Sequence, residues 1–414
     1  MEKAGTIIFN YPGMKNVGGI EKYIANMSTY LITHNYRVIW FHEKNTKIAE
    51  SFRKIMLDNR IEKIDVEERG IHWFKHPKVN FDTDESPIIL SFTPLDMGRA
   101  IYLANQNKKN KMRIYYIVPD TTGSAYFIER YFHGKTYKKV HEKMRTMIQH
   151  WEDANAIYFF SKQQIYPLEE NYKINIREQD EKVLPSVLEI QPLDLDKVKQ
   201  RANRSPFTII TIGRFDFPHK GYMLGLIRSF GRLKKRHKNL KLQIIGFGPD
   251  KKKVIDEIKK LNVDTQKDIE LIGEVAPSEL YKYLDKASLN ISVAGAVRDG
   301  GKLGVLSIPA RNYCIDECEV YGFLPGAKEK LVSRSPGKLV DAYIERVISM
   351  SKEEYIQKSV ESYLTYKEMN HPDPLYLFKR DCNTDDIIDK ESIMFLKKMH
   401  YYSKIAQYVK KLKK

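Results

Sequence analysis

Short apolar runs alternate along the chain with stretches whose apolar residues recur every three to four positions. "GTIIFNYPG" opens as a strand and closes in a turn. "GGIEKYIANMSTYLITHN" follows, with Ile20, Tyr23, Ile24, Met27, Tyr30 and Leu31 on one helical stripe. "YRVIWFH", "SPIILSF", "MRIYYIV" and "NAIYFFS" read as further strands with helical stretches between them. "VLPSVLEIQPLDLD" and Ser205–Pro206 carry turn chemistry and read as a linker. The alternation then restarts with "FTIITIG", a helix from about Gly221, "KLQIIGFG", "DKKKVIDEIKKL", "DIELIG", "SELYKYLDKA" and "LNISV".

Apolar strands alternating with helices predict parallel sheets covered on both faces. Two such series predict an α/β protein of two Rossmann-like, doubly wound domains facing a cleft. Their expected bounds are residues 1–190 and 206–350, joined by a linker over 191–205. Residues 351–414 read as a helical tail rich in Tyr and Lys. Ligands of doubly wound sheets bind beyond the carboxyl ends of the strands, so the strand-to-helix turns are the places to look for chemistry.

Composition narrows the partners. The 414 residues are 42% hydrophobic and 30% charged, as in a water-soluble globular chain. No apolar stretch approaches the roughly 20 residues of a membrane span. "TIIF" is too short for the apolar core of a signal peptide, so a cytoplasmic location is expected. Cys314, Cys318 and Cys382 are the only cysteines, which implies no disulfide framework. Cys314 and Cys318 lie four apart and could share a helix face, but a zinc site needs about four ligands; buried thiols are the expected reading. The net charge of +17 calls for an anionic partner: nucleic acid, anionic lipid or a phosphate-bearing substrate. No RNA- or DNA-binding module is recognisable, so nucleic acid is not expected.

Three turns can meet an anion. "IGFGPD" places Gly246 and Gly248 after a strand, where backbone N–H groups can approach a bulky ligand or the glycines can simply end the strand. "KNVGGIEKYI" places Gly18 and Gly19 before a helix, whose first N–H groups favour negative charge. The second is not a Rossmann fingerprint or a Walker A loop. "IGRFDFPHKGY" sets Arg214 and Lys220 in the first strand-to-helix turn of the second domain. An Arg fork and a Lys point charge together suit a diphosphate, although a chain with 70 Lys and Arg also scatters cations by chance.

In order, "GGIEKYIANMSTYLITHNYRVIWF", "IGRFDFPHKGYMLGLIRSFGRLKK", "LKLQIIGFGP" and "IELIGEVAPSELYKYLDKASLNISV" resemble the retaining GT-B glycosyltransferases of family 4. The resemblance runs from Gly18 to Val293 and is strongest from Thr208. It implies two Rossmann-like domains, a nucleotide-sugar donor bound mainly by the second, and a C-terminal helix crossing back to the first. It places Arg214 and Lys220 on the donor diphosphate and Gly19, with Gly18 beside it, near the donor phosphates. Gly246 and Gly248 then border the nucleotide. The family follows its last strand with E-x7-E, whereas this chain reads "VAGAVRDGGKLGVLSIPARNYCIDECEVYG". Asp299 stands in for the first Glu at the donor sugar, with Gly300 and Gly301 next to it. Eight positions on is Ser307, with Pro309 shortly after, so a helix is expected to start near Ser307. Glu317 or Glu319 is the expected alternative acceptor for the ribose.

Asp120, in "YYIVPDTTG", ends a first-domain strand and either orients an acceptor hydroxyl as a general base or caps a turn. Asp82-x-Asp84 and Asp194-x-Asp196 repeat a metal-binding pattern but read as loops. "RYFHGKTYKKVHEKMR" packs six Lys or Arg around Arg130, Lys135, Lys138 and Lys139 and suits an anionic membrane surface or an acceptor. In the tail, Met399, Tyr402, Ile405, Ala406, Tyr408, Val409 and Leu412 can form one stripe, which either lies on a membrane or packs on the protein.

The resemblance thus implies a metal-independent glycosyltransferase without cofactor, peripheral to the inner face of the membrane. It would move a sugar from a nucleotide-diphosphate-sugar to a cell-envelope or capsular glycan, lipid-linked at its acceptor end. The departure from E-x7-E leaves a second reading, an inactive GT-B subunit that stabilises a partner enzyme. The oligomeric state is open.

Overall fold

A computed structural model of the chain describes residues 4–15, 18–43, 47–66, 79–82, 85–119, 132, 134–185, 187–188, 190–369, 373–379, 382, 384–387 and 390–412. The chain divides into two units, one of Met1–Val187 with His371–Lys414, the other Leu188–Asn370.

Unit 1 is built on β1 (Thr6–Asn10), β2 (Arg37–Glu43), β3 (Ile61–Val66), β4 (Ile88–Ser91), β5 (Arg113–Val118) and β6 (Ile157–Phe159). Their order is β3-β2-β1-β4-β5-β6, with every neighbouring pair parallel. Every residue of β1 is buried, as a central strand covered on both faces requires. Alternate side chains divide between two cores. Ile8, Ile39, Ile89, Ile114 and Tyr116 point to one, and Ile7, Phe9, Val38, Trp40 and Tyr115 to the other. The first core takes in the Pro94–Gln106 and Gly134–Asp153 helices, and the second the Gly19–Thr33 helix. Thr93 starts the Pro94–Gln106 helix by accepting from Asp96 N–H, with Pro94 in the first turn where no donor is needed. The tail closes this unit: Ile393, Leu396 and Met399 of the Lys390–Leu412 helix enter the first core, and Leu375, Leu377 and Phe378 the second. Tyr402 and Ile405, farther along that helix, are exposed.

Unit 2 has β7 (Phe207–Ile212), β8 (Leu240–Ile245), β9 (Ile269–Gly273), β10 (Leu289–Ser292) and β11 (Ser307–Pro309), ordered β11-β10-β7-β8-β9 and parallel throughout. The Tyr222–Lys234 helix buries Tyr222, Met223, Leu226, Ile227, Phe230 and Leu233 against Ile209, Leu242 and Ile291. Gly225 sets how close it lies: a Cβ there would fall 2.1 Å from the Glu317 carbonyl carbon. Because the strands are parallel, the turns after β7, β8 and β10 share one edge of the sheet.

Two expectations give way. The helix expected near Ser307 is β11, a buried strand in register with β10 (Asn290↔Ser307, Ser292↔Pro309). Ser307 hydrogen-bonds within the sheet rather than capping a helix, and the preceding helix is Gly295–Lys302, with Asp299 in it. The segment read as a linker contains the Leu195–Ala202 helix, which Asp194 caps by accepting from Lys197 N–H, so Asp194-x-Asp196 is a helix start and not a loop. The Lys352–Glu368 helix packs on the Gly295–Lys302 and Leu195–Ala202 helices and belongs to unit 2; the tail segment assigned to unit 1 begins at His371. Cys314 and Cys318 sit in irregular chain, Cys318 buried. Among the described residues no helix is long and apolar enough to cross a membrane, and no group of three or more His, Cys, Asp or Glu is placed to hold a metal ion.

Candidate donor site in unit 2

Beyond Ile212 the chain leaves β7 through Gly213 and reaches the Tyr222–Lys234 helix at Tyr222. The turn is fixed from below by the one after β8. Gly213 N–H donates to Ile245 O at 3.0 Å, Phe215 N–H to Phe247 O at 2.7 Å, and Asp250 N–H to Phe215 O at 3.1 Å. Phe217 N–H donates to Asp250 Oδ2 at 2.8 Å. Phe215 is fully buried between the two turns. Lys220 N–H then returns to Asp216 O at 3.0 Å, which brings the lysine back over the start of the loop.

The two cations differ in state. Arg214 is exposed and Nη2 donates to Asp216 Oδ2 at 3.0 Å. Lys220 is half-buried, and its aliphatic stem covers Gly213, where a Cβ would stand 3.2 Å from Lys220 Cδ. Burial first, and then the neighbouring Arg214 charge, pull the Lys220 ammonium down to about 8, with Asp216 opposing. Among the described residues no group accepts a hydrogen bond from Lys220 Nζ or pairs with it. At neutral pH the turn therefore carries two neighbouring positive charges against one carboxylate, and one of the two is partly dehydrated and without a hydrogen-bond partner among the described residues. An oxyanion is the natural complement.

The turn after β10 adds a cation that the sequence reading passed over. Arg298, in the Gly295–Lys302 helix, is half-buried, and burial lowers its pKa before Asp299 and Tyr366 oppose the shift. Its Nε is buried without a hydrogen-bond partner. In "AVRDGG" the acid aligns with the expected donor-sugar carboxylate, whereas nothing in the pattern marks the arginine beside it. Asp299 itself is half-buried on the same helix. Ala294, just before the helix, holds φ 51° and ψ −126°, a conformation costly for a residue with a Cβ and found where a turn is tightly determined. His219 and Tyr313, 94 positions apart, also meet at the β7 turn, their rings 5.1 Å apart, with Arg334 lying 3.8 Å over the Tyr313 ring. No spacing in the sequence signals that contact.

Several residues expected to bind ligand have close contacts within the chain. A Cβ on Gly246 would lie 2.0 Å from Gly213 O, and one on Gly248, at φ +146°, would lie 2.4 Å from Phe215 O. These glycines let the two turns dock on each other, and that docking holds up the Arg214 and Lys220 loop. Gly300 is pressed to Ser307 Oγ and Asn290 Nδ2, and Gly301 to Leu324 and Tyr366. Ser307 donates to Val305 O at 3.0 Å and accepts from Asn290 Nδ2 at 3.3 Å. Glu319 accepts from Arg311 Nη1 and Gly337 N–H, each at 2.7 Å. Burial works against its ionisation, but Gly337 and Arg311 outweigh it and hold the carboxyl below its usual range. Both Ser307 and Glu319 are thus engaged inside unit 2.

In unit 1, Gly18 precedes the Gly19–Thr33 helix, and a Cβ there would meet Glu21 Oε2 at 2.4 Å. The chain's own carboxylate, buried and bonded by Tyr11 O–H, lies beside that helix start, whereas Gly19 opens on free space. Lys135, Lys138 and Lys139 are exposed in the first turns of the Gly134–Asp153 helix, before Val140 turns inward. Asp120 and Arg130 lie outside the described residues.

Residues 194–297 match the family described as glycosyl transferases group 1, a span that contains both Arg214 and Lys220. No curated protein matches the chain. Among solved structures, a glycosyltransferase from Rickettsia africae ESF-5 superposes with a TM-score of 0.55 at 14% identity, over 96% of this chain and 99% of that one. A UDP-forming alpha,alpha-trehalose-phosphate synthase from Burkholderia xenovorans gives 0.53 at 12% identity, over 89% and 96%. An E. coli trehalose-6-phosphate protein bound with UDP-2-fluoro glucose gives 0.54 at 11% identity, over 93% and 99%. The fold is GT-B, with two parallel-sheet α/β units and C-terminal helices, and the resemblance read from the sequence is borne out for that fold and for the group 1 segment.

Proposed function

We propose that this GT-B chain, whose second unit carries the group 1 glycosyltransferase segment, transfers a sugar from a nucleoside diphosphate sugar to a glycan. The observation that carries the reading is Lys220, a partly dehydrated ammonium without a partner among the described residues, next to Arg214 on the β7 turn. When the bond between the sugar's anomeric carbon and the diphosphate oxygen breaks, negative charge collects on the leaving diphosphate. Two cations already fixed in place stabilise that charge without reorganisation and need no metal ion to do so. Arg298 and Asp299, on the adjoining turn, are the candidates to hold the donor sugar, with Asp120 the candidate to orient the acceptor hydroxyl. A UDP-linked donor is the first to try, because UDP-2-fluoro glucose occupies the E. coli protein of the same fold.

The acceptor in this reading is a cell-envelope or capsular glycan on a lipid carrier. The exposed lysines 135, 138 and 139 support it, since a basic turn at the surface is drawn to an anionic membrane.

A thermal-shift panel of UDP, GDP, dTDP and CMP tests the donor reading. A ligand at 100 times its dissociation constant adds about 2.7 kcal/mol. One nucleotide is expected to raise the midpoint, and Arg214→Ala and Lys220→Ala are each expected to remove the rise. A panel with no response contradicts the reading. One observation favours a second reading, a catalytically silent subunit: Ser307 and Glu319 are both committed to internal hydrogen bonds. Nucleotide binding without sugar release from any nucleotide-sugar would select it.

A further inference from the structure

The opposite edge of the unit 2 sheet holds a cavity of about 400 Å3, within the size range of small-molecule sites. Phe207, which starts β7, and Ser288, just before β10, are on its wall, so it lies at the amino-terminal ends of the strands. β7 is six residues long, which separates the cavity from the Gly213 turn by roughly 20 Å.

Four basic side chains reach this cavity, namely Arg201, Arg204, His237 and Lys238, and none of its lining residues is a carboxylate. Phe207 and Ile348 give it an apolar side. Arg201 is 2% exposed. Its Nη2 donates to Leu303 O at 2.6 Å, but Nε and Nη1 have no hydrogen-bond partner. Asp285 Oδ1 forms an ion pair with Nη1 at 3.7 Å, longer than a hydrogen bond, and the Tyr355 hydroxyl on the cavity wall interacts with the guanidinium while donating to Ser288 O at 2.8 Å. Asp285 is drawn the other way by Lys197 Nζ, which donates to Oδ2 at 2.5 Å. Arg204 Nη1 donates to Asp285 O at 2.9 Å, His237 is paired with Glu345 at 2.6 Å, and Lys238 is exposed. A buried guanidinium with two nitrogens short of a hydrogen bond of normal length is rare, because each unmade bond forfeits its hydration. An acceptor entering the cavity would complete it.

We propose that this cavity is a second ligand site, which binds a small phosphomonoester with its phosphate on Arg201 and Arg204 and its apolar body on Phe207 and Ile348. A dianion suits the site, because its four basic side chains outnumber the carboxylates paired with them among the described residues, Asp285 and Glu345, which lie outside the lining. The site is distinct from the diphosphate clamp and does not depend on it.

Calorimetric titration of the full chain with phenyl phosphate tests the proposal. Saturable one-to-one binding is expected, tighter than that of inorganic phosphate, which lacks the apolar body. Arg204→Ala is expected to weaken it about tenfold. Ala202→Trp, which fills the cavity from its wall, is expected to abolish it, and Lys220→Ala to leave it unchanged. Arg201→Met is informative only where the variant folds, so Arg204→Ala and Ala202→Trp, checked by thermal midpoint, carry the test. Three results would overturn the proposal: no saturable binding, equal affinity for inorganic phosphate, or binding that survives Ala202→Trp and disappears in Lys220→Ala. No nucleotide is used, so failure of the donor reading leaves the outcome intact.

Discussion

Raising the pH from 7 to 9 strips the proton from Lys220 in the unliganded protein, because its ammonium titrates at about 8 rather than in the usual lysine range. At pH 7 about ten in eleven copies carry the charge, and at pH 9 about one in eleven. If a nucleoside diphosphate binds only the protonated form, its apparent dissociation constant scales inversely with that fraction. Affinity therefore falls about tenfold across the interval, or about 1.4 kcal/mol. An exposed lysine near 10.4 would leave the same profile almost flat. Titration calorimetry with UDP at pH 7, 8 and 9 and constant ionic strength reads the change, and buffers of different ionisation enthalpy read the accompanying proton uptake. Uptake should approach one proton at pH 9. Lys220→Met should bind weakly at every pH, with no slope. A flat wild-type profile, or a tenfold slope that persists in Lys220→Met, would refute the assignment. The sign of the stability effect runs the other way. The unfolded chain holds this proton more tightly than the folded one, so the unliganded protein gains stability as pH rises from about 8 toward the unfolded value.

Three further outcomes follow from packing and charge. Gly225→Ala puts a Cβ 2.1 Å from the Glu317 carbonyl carbon and should lower stability by about 1–3 kcal/mol or more in chemical denaturation; an unchanged midpoint would mean that the helix can move away freely. Gly246→Ala, 2.0 Å from Gly213 O, should displace the Arg214 and Lys220 turn and weaken UDP binding at least about tenfold. Normal affinity in that variant would detach the β8 turn from the site. Replacing Lys135, Lys138 and Lys139 together by Glu should remove salt-sensitive sedimentation with anionic vesicles, and sedimentation equal to wild type would assign those lysines to solvent.

Where strands are wholly apolar, the pattern alone places them: "TIIF" and "FTIITI" become β1 and β7, buried along almost their whole length. β3 escapes because Ile61, Ile64 and Val66 are its only buried residues, spaced irregularly among charges at the sheet edge. The Ser307–Pro309 segment misleads for a different reason. Serine followed by proline has the chemistry of a helix start, but here three buried residues pair with β10, a long-range contact that local propensity does not register. The site divides in the same manner. Arg214 and Lys220 stand out as cations in a strand-to-helix turn. Their difference in state, one exposed and paired and the other dehydrated, comes from Gly213, Phe215 and the β8 turn folding around them. Gly246 and Gly248 look alike in sequence whether a ligand or the chain itself approaches; Gly213 O and the Phe215 ring lie against Gly246, and the Phe215 backbone lies against Gly248. Arg298 is conspicuous only once its burial is known.

The most direct measurement is a crystal structure of the chain with the nucleoside diphosphate that responds in the thermal-shift panel. A β-phosphate oxygen is expected about 2.7–3.0 Å from Lys220 Nζ, with a second phosphate contact from Arg214 in place of its bond to Asp216. A nucleotide bound away from the β7 turn, or one whose phosphates touch neither cation, would contradict it.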